Sequence, residues 1–233
     1  MTRPDLLVAR SILSEFLQRP TLTHLAAAER VLRYIWTTRD QGLVFYHRGR
    51  PELIVYSDAN FATGDAKQSR IGFLTLFASG CITAESRKLK HCFPESVAES
   101  EFIAEWYGLK QTRFVRIFLS ELGFPITVIH LLGDNLSNEK ILNNDYTRSK
   151  LRGLAIIFQS LIHHVAHGDA TTCHIDGKLN PADLLSKPVT RHTLEDATQL
   201  RSLFMFIPSV YDRCRSRVDS AFTSCHGTGG DLS

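Results

Sequence analysis

The chain has 233 residues, and its 27 Lys and Arg against 24 Asp and Glu give a formal net charge of +3. This length is typical of one full domain with extensions or of two small domains, and it can bury a core without disulfide or metal staples. A hydrophobic content of 43% and a charged content of 22% exclude a disordered or fibrous chain, and no apolar run reaches the ~18 residues of a membrane span.

The first 50 residues predict a small helical segment with excess positive charge. Apolar spacing predicts helices over 4–17 and 20–38 and a short strand over 42–47. Eight arginines against four acids give this segment a net charge of +4, whereas the remaining chain carries −1. That is compatible with a nucleic-acid partner, although a solvated helix face explains it equally well. Because Asp5 and Glu15 are unlike a signal peptide, we expect an intracellular protein, cytoplasmic or nuclear and not secreted.

A β-rich region begins at residue 52. A strand over 52–61 precedes two strands hinged at Ser79–Gly80, which form a hairpin. Later elements, in order, are a long helix ended by Gly123, a buried strand in ITVIHLLGDN, helices over 135–143 and 149–167, a strand in ATTCHID, and a helix in NPADLLSKP with Asn180 as N-cap and Pro181 first. The order predicts a mixed sheet covered by helices. Five cysteines without a CxxC pair argue against a disulfide framework or a thiolate zinc site.

Four acids lie at the ends of these predicted elements: Asp58, Glu101, Asp134 and Asp183. Each alone also fits an ordinary turn or helix start, so only the joint pattern is specific. If the first and fourth strands are neighbours, Asp58 and Asp134 lie side by side. Crowded carboxylates need cations, and hard oxygen ligands select Mg²⁺ or Mn²⁺. Two such ions about 3.5–4 Å apart are a common device for phosphodiester chemistry.

Five stretches occur in a recognisable order: 2–45, YSDANFATGDAKQSRIGFLTLFASGCI, AESEFIAE, GDNLSN and HIDGKLNPADLLSKP. Together they resemble the ribonuclease H region of copia-type (Pseudoviridae) retrotransposon Pol polyproteins, with the end of the preceding reverse transcriptase. The resemblance covers about residues 2–190, and the last stretch is the most distinctive. It implies an α/β fold: a ribonuclease H-like mixed five-stranded sheet flanked by helices, preceded by a small helical segment.

The resemblance also implies three parts. Residues 1–50 are expected to be a connection-like helical segment from the C-terminal end of the reverse transcriptase. Residues 51–188 are expected to form the ribonuclease H-like domain, and 189–233 a partly disordered tail. The implied activity is metal-dependent hydrolysis of the RNA strand of RNA–DNA hybrids. The implied partners are that hybrid and the reverse transcriptase portion of the parent polyprotein, with no membrane.

Carried over residue by residue, the resemblance implies that Asp58, Glu101, Asp134 and Asp183 are catalytic and bind two Mg²⁺ ions, or Mn²⁺. Glu99, two positions from Glu101, should face elsewhere. His174 lies near the place of a loop histidine that assists proton transfer or product release in related ribonucleases H. The alternative for His174 is a partly buried strand histidine.

Ribonuclease H activity requires contacts to the 2′-hydroxyl of RNA. Candidates for this contact are Ser57, Asn60, Asn135 and Ser137. Phosphate contacts would come from basic residues, with Arg70 the first candidate, followed by Arg87, Lys88 and Lys90. Trp106 and Phe114 lie on the apolar stripe of the long helix and are predicted to be core residues.

Two alternatives remain at the level of sequence. The first is a catalytically inactive, truncated retroelement remnant that only binds nucleic acid or has no function. Departures from the family pattern at Asn60 and Phe61 favour it, although no metal ligand is lost. The second is an integrase-like strand transferase, which shares the sheet. Such an enzyme usually has its glutamate on a late helix, where this chain has Asp183.

Overall fold

The computed structural model describes residues 2–45, 52–63, 68–78, 80–90, 92–135 and 155–188. A short 3₁₀ turn at Pro4–Leu6 leads into two helices. The helices are α1 (Leu7–Ser14), α2 (Leu22–Thr37), α3 (Val97–Glu121), α4 (Ala155–Ala166) and α5 (Asp183–Ser186). The strands are β1 (Leu53–Thr63), β2 (Gln68–Phe77), β3 (Gly80–Lys88), β4 (Ile129–Gly133) and β5 (Ala170–His174). Among the described residues, no helix is both long and apolar enough to cross a membrane.

The five strands form one sheet in the order β3-β2-β1-β4-β5. Strands β1, β2 and β3 are antiparallel neighbours, whereas β4 and β5 run parallel to β1. The predicted hairpin and the predicted central strand are therefore confirmed. The chain has the predicted ribonuclease H-like mixed sheet flanked by helices.

Helices cover both faces of this sheet. Side chains of β1 alternate between the two faces, as the period of a strand requires. Leu53 and Val55 pack with Phe102 and Leu109 of α3, and α4 joins them through Phe158 and Leu161. On the other face Ile54 and Tyr56 pack with Leu7 of α1 and with Leu184 and Leu185 of α5. The candidate acids lie where these layers meet the end of β1.

Helix α1 is part of this packed unit. Leu7 and Val8 are only 5% and 3% exposed. Glu15, directly after α1, binds Arg70 of β2 and Lys88 of β3 at 2.6 Å each. The proposed domain boundary after residue 50 stays a prediction, but these contacts tie the first 15 residues to the sheet.

Gly72 of β2 allows α5 to approach the sheet closely. A Cβ added at Gly72 would lie 2.6 Å from Cβ of Leu185 and 2.9 Å from the carbonyl oxygen of Ala182. Any larger residue would therefore push α5 away. Since Gly72 pairs with Asp58 in the β1–β2 ladder, this approach brings the residues of α5 to Asp58.

Several predicted elements differ from the structure. Residues 42–45 form no strand, and α1 ends at Ser14. Asn180 does not cap α5, whose N-cap is Ala182. Instead its side chain donates to the carbonyl of Ser57 and accepts from the amide of Ala182, which joins the last loop to β1. Phe114 is not a core residue: it is 70% exposed, whereas Trp106 packs on the α3 side of the core. Residues 136–143 of the helix predicted over 135–143, and the tail over 189–233, lie outside the described residues.

Candidate metal centre

Asp58 and Asp134 lie side by side because β1 and β4 are parallel neighbours in register. Tyr56 of β1 pairs with Leu132 of β4, and each aspartate lies two residues further along its own segment of the chain. The sequence prediction that the ends of these strands meet is therefore correct. Two carboxylates separated by 76 residues in the chain are brought together by strand pairing alone.

Glu101 comes from the first turns of α3. The start of this helix is fixed by Ser96, whose hydroxyl accepts the amide of Glu99 at 3.2 Å, while the carboxylate of Glu99 accepts the amide of Glu95 at 2.6 Å. This is a capping arrangement, and it confirms that Glu99 faces away from the other acids. Glu101 is buried and accepts a hydrogen bond from the backbone of Ala59, the residue that follows Asp58.

Asp58, Glu101 and Asp134 each present one carboxylate oxygen, and these three atoms all lie within 4.8 Å of one another. Asp58 and Glu101 are buried, whereas Asp134 is partly exposed. The arrangement is thus open to solvent on the side of Asp134. Hard oxygen donors at such separations fit a divalent cation of the Mg²⁺ or Mn²⁺ type.

Burial makes the carboxyl groups of Asp58 and Glu101 difficult to ionise without a cation. Burial is the largest cause of a pKa of about 7 for Asp58; the charges of Asp134 and Asp183 act in the same direction, whereas Lys187 and the Ser186 hydroxyl oppose it. Burial also raises the pKa of Glu101 to about 10, with added repulsion from Asp58, Asp134 and Glu105. A bound cation would offset the repulsion and favour the ionised forms.

Asp134 is positioned by the last strand and the loop after it. Nε2 of His174 donates to the carbonyl oxygen of Asp134 at 3.0 Å. A Cβ added at Gly177 would lie 3.1 Å from Oδ2 of Asp134, so the absence of a side chain there leaves room for the carboxylate. His174 therefore has a positional role in this structure, and its auxiliary catalytic role stays a prediction.

Asp183, the fourth predicted ligand, lies beside the three clustered carboxylates but outside their group. Its carboxylate accepts from the ammonium of Lys187, one helical turn later. The same ammonium lies 3.7 Å from Oδ2 of Asp58. Ser186, between them, donates its hydroxyl to Oδ2 of Asp58 and is fully buried. Whether Asp183 binds metal stays a prediction.

Sequence reasoning missed Ser186 and Lys187. Both lie in the stretch NPADLLSKP, one helical turn from Asp183, and this spacing is the signal that could have identified them. Burial lowers the pKa of Lys187, but the charges of Asp58, Asp183 and Asp134 and the hydrogen bond that the ammonium donates to Asp183 outweigh it, so the pKa is raised overall. Lys187 is therefore a cation within the candidate site.

Some of the predicted substrate-contact residues are accessible to a substrate and others are buried or already bound to neighbouring side chains. Asn60 and Asn135 are partly exposed near Asp58 and Asp134 in the chain, as a contact to substrate requires. Ser57 is only 1% exposed, and the guanidinium of Arg70 is held by Ser11 and Glu15. The geometry gives no support to substrate roles for these two residues. Ser137 lies outside the described residues.

The amino-acid sequence is similar to those of known proteins. No family model matches the chain. The chain is 30% identical over 200 residues to the retrovirus-related Pol polyprotein from transposon TNT 1-94 of Nicotiana tabacum, which covers 85% of this chain and 15% of that protein. It is 40% identical over 106 residues to secreted RxLR effector protein 161 of Plasmopara viticola, covering 45% of this chain and 73% of that protein.

Solved structures were compared as well. Ribonuclease H1 from Halobacterium salinarum NRC-1 superimposes with a TM-score of 0.43 and 20% identity, over 64% of this chain and 99% of that chain. The fold assignment itself rests on the strand order, the pairing and the flanking helices. The chain spans only about 15% of the length of the transposon polyprotein that it matches. Over most of its own length the chain is similar to retrovirus-related Pol polyproteins of copia-type transposons, and its strand order and flanking helices are those of a ribonuclease H-like fold.

Proposed function

We propose that this chain is a metal-dependent endonuclease that hydrolyses the RNA strand of RNA–DNA hybrids as part of a copia-type Pol polyprotein. The observation that carries the proposal is the group of Asp58, Glu101 and Asp134, whose ligand atoms lie within 4.8 Å of one another. The three acids occupy the ends of β1 and β4 and the start of α3, in the order expected from the family motifs. The order of the acids along the chain does not favour a strand transferase. Such an enzyme usually has its glutamate on a late helix, whereas the late helix α5 carries an aspartate, Asp183.

The donor set fits Mg²⁺, with Mn²⁺ as an alternative ion. Asp58, Glu101 and Asp134 would hold one ion, and Asp183 would complete the ligands of a second. When bound, two such ions supply an activated water and stabilise the leaving 3′ oxygen of a phosphodiester. No soft ligand takes part, since the group consists of carboxylates alone.

The surrounding residues hold the ligands in place. The hydroxyl of Ser186 orients Oδ2 of Asp58, and the ring of His174 fixes the backbone of Asp134. Loss of such supporting hydrogen bonds typically costs a metal site about 10- to 100-fold in affinity or activity. Asn60 and Asn135 are the partly exposed candidates for contacts to the 2′-hydroxyl. The reverse transcriptase portion of the polyprotein would deliver the hybrid.

A cleavage assay tests the proposal. The full chain is incubated with an end-labelled RNA–DNA hybrid and Mg²⁺, and with RNA and DNA duplexes for comparison. We expect cleavage of the RNA strand in the hybrid alone. Asp134→Asn should reduce the rate by at least ~100-fold, because loss of a ligand should cost more than the 10- to 100-fold typical of its supporting residues.

Asp176→Asn is the matched control. Asp176 is exposed in the same loop region and only accepts the amide of Lys178, so this variant should cleave at close to the wild-type rate. If the wild-type chain leaves the hybrid intact with both Mg²⁺ and Mn²⁺, the nuclease proposal is wrong, and the inactive remnant becomes the better description.

A further inference from the structure

Lys187 lies against two of the four predicted ligands. Its ammonium binds the carboxylate of Asp183 and lies 3.7 Å from Oδ2 of Asp58. Its side chain is 44% exposed, whereas that of Asp58 is 2% exposed. The lysine therefore reaches from solvent over the buried end of the site, on a flexible stem that can swing away.

The surroundings explain why a cation is needed at this position. Asp58 experiences the charges of Asp134 and Asp183 in a buried environment, and Lys187 provides the largest opposing effect. The neighbouring basic residues Arg70 and Lys88 both bind Glu15. Ser186 offers a hydrogen bond but no charge.

We propose that Lys187 is a built-in counter-ion of the metal-free site, which competes with the divalent cation for Asp58 and Asp183. The inference rests on the proposed metal-binding function and adds a positioning residue to it. In the metal-free protein the ammonium binds the carboxylate of Asp183, lies against that of Asp58 and so holds both side chains in place. When the cation binds, the ammonium is released to solvent and becomes available to the phosphate of a bound nucleic acid.

Two measurable consequences follow. Removing the ammonium leaves the buried carboxylate of Asp58 without this neighbouring positive charge, so a neutral residue at 187 should destabilise the metal-free protein. Competition is reciprocal in free energy, so the same change should tighten metal binding. A residue with a purely structural role would lower stability without improving the affinity for the metal.

The experiment uses the full chain with Lys187→Met, Lys187→Arg and the control Lys178→Met. Lys178 is exposed in the preceding loop. Thermal unfolding is measured with a chelator and with Mg²⁺, and Mg²⁺ binding is measured by calorimetry. For Lys187→Met we expect a melting temperature lower by ~5 °C in chelator and a Mg²⁺ affinity tighter by ~10-fold, within the range usual for coupled sites. The control and Lys187→Arg should behave as wild type in chelator.

An unchanged melting temperature in chelator, or an unchanged or weaker Mg²⁺ affinity, overturns the inference. If Lys187→Met does not fold, the double variant Lys187→Met with Asp183→Asn replaces it and is compared with Asp183→Asn alone. Lys187→Met should then lower the melting temperature in chelator by less than it does in the wild-type background. Cleavage of the hybrid is measured separately. If Lys187→Met alters Mg²⁺ binding as expected but the wild-type chain does not cleave the hybrid, the nuclease proposal is wrong and the counter-ion proposal is supported. If the wild-type chain cleaves the hybrid but Lys187→Met changes neither the melting temperature nor the Mg²⁺ affinity, only the counter-ion proposal is wrong.

Discussion

At the scale of single residues, the candidate site is defined by carboxylates that burial keeps from ionising freely. The pKa of Asp58 is raised to about 7 and that of Glu101 to about 10, and in both groups burial is the largest cause. In an unfolded chain both acids ionise near pH ~4. The folded, metal-free protein therefore binds more protons than the unfolded chain between these values, and its stability must decrease as the pH rises.

We expect the melting temperature in chelator to fall by ~3 °C for each pH unit between about 6 and 8. One proton of difference over one pH unit corresponds to ~1.4 kcal/mol, and a domain of this size shifts by ~2–4 °C per kcal/mol. Scanning fluorimetry across this range measures the slope. Asp58→Asn and Glu101→Gln should each reduce it, and saturating Mg²⁺ should reverse it. Equal slopes in wild type and both variants would contradict the pKa directions.

Gly177 gives a second test at this scale. A methyl group at this position would lie 3.1 Å from Oδ2 of Asp134 and force that carboxylate to move. We expect Gly177→Ala to weaken Mg²⁺ binding by ~10-fold, as changes next to metal ligands typically do. Gly42→Ala is the control, because a Cβ there meets no atom within 4 Å. Identical calorimetric isotherms for both variants would show that Asp134 has room to adjust.

At the scale of elements, α3 has different surroundings along its length. Phe102 is buried and packs edge-on against Phe158 with ring centroids 5.2 Å apart. Phe114, about three turns later, is 70% exposed. Periodicity shows which residues share a face of a helix, but it does not show where another element lies opposite that face. This is why the core prediction for Trp106, which packs against the core, holds and that for Phe114 is wrong.

Alanine substitutions should separate the two phenylalanines. Phe102→Ala removes a ring from the core and should cost ~3–5 kcal/mol of unfolding free energy. Phe114→Ala changes an exposed side chain and should stay within ~0.5 kcal/mol of wild type. Urea denaturation of both variants measures the difference. A large loss for Phe114→Ala would mean that its face is covered in the folded protein.

At the scale of the whole molecule, the sheet uses residues from both ends of the described chain. The predicted division at residue 50 separates α1 from the sheet, yet Leu7 packs with Ile54, Leu74 and Leu185. Helix α2 differs, since none of its residues is buried. The stabilising contribution of the N-terminal segment should therefore come from α1.

Leu7→Ala should destabilise the protein by ~2–5 kcal/mol, as is usual for a buried leucine. Leu25→Ala, in α2, should change the unfolding free energy by less than ~0.5 kcal/mol, because Leu25 is exposed. Chemical denaturation of the full chain measures both. If a fragment of residues 51–188 unfolds with the stability of the full chain, α1 contributes nothing and the original division is correct.

The order of elements along the chain and the hairpin could be predicted, because strand periodicity and the ends of elements are local signals. That Asp58, Glu101 and Asp134 form one site was implied by the resemblance and depended on the pairing of the first and fourth strands. The sequence did not identify Ser186 and Lys187 as part of the site. Their position depends on the close approach of α5 to Gly72, which is a property of packing and not of any single segment. The engagement of Arg70 by Glu15 was missed for the same reason, since the two residues are 55 positions apart.

The hydrogen bond between Ser186 and Asp58 joins residues 128 positions apart. During synthesis on the ribosome, β1 is complete long before the segment that supports Asp58 has been made. A nascent chain that ends before residue 186 contains Asp58, Glu101 and Asp134 but neither the hydroxyl of Ser186 nor the ammonium of Lys187, which stabilise the first of them. The complete site therefore forms only after nearly the whole described chain has emerged, so its charged interior cannot assist the early steps of folding.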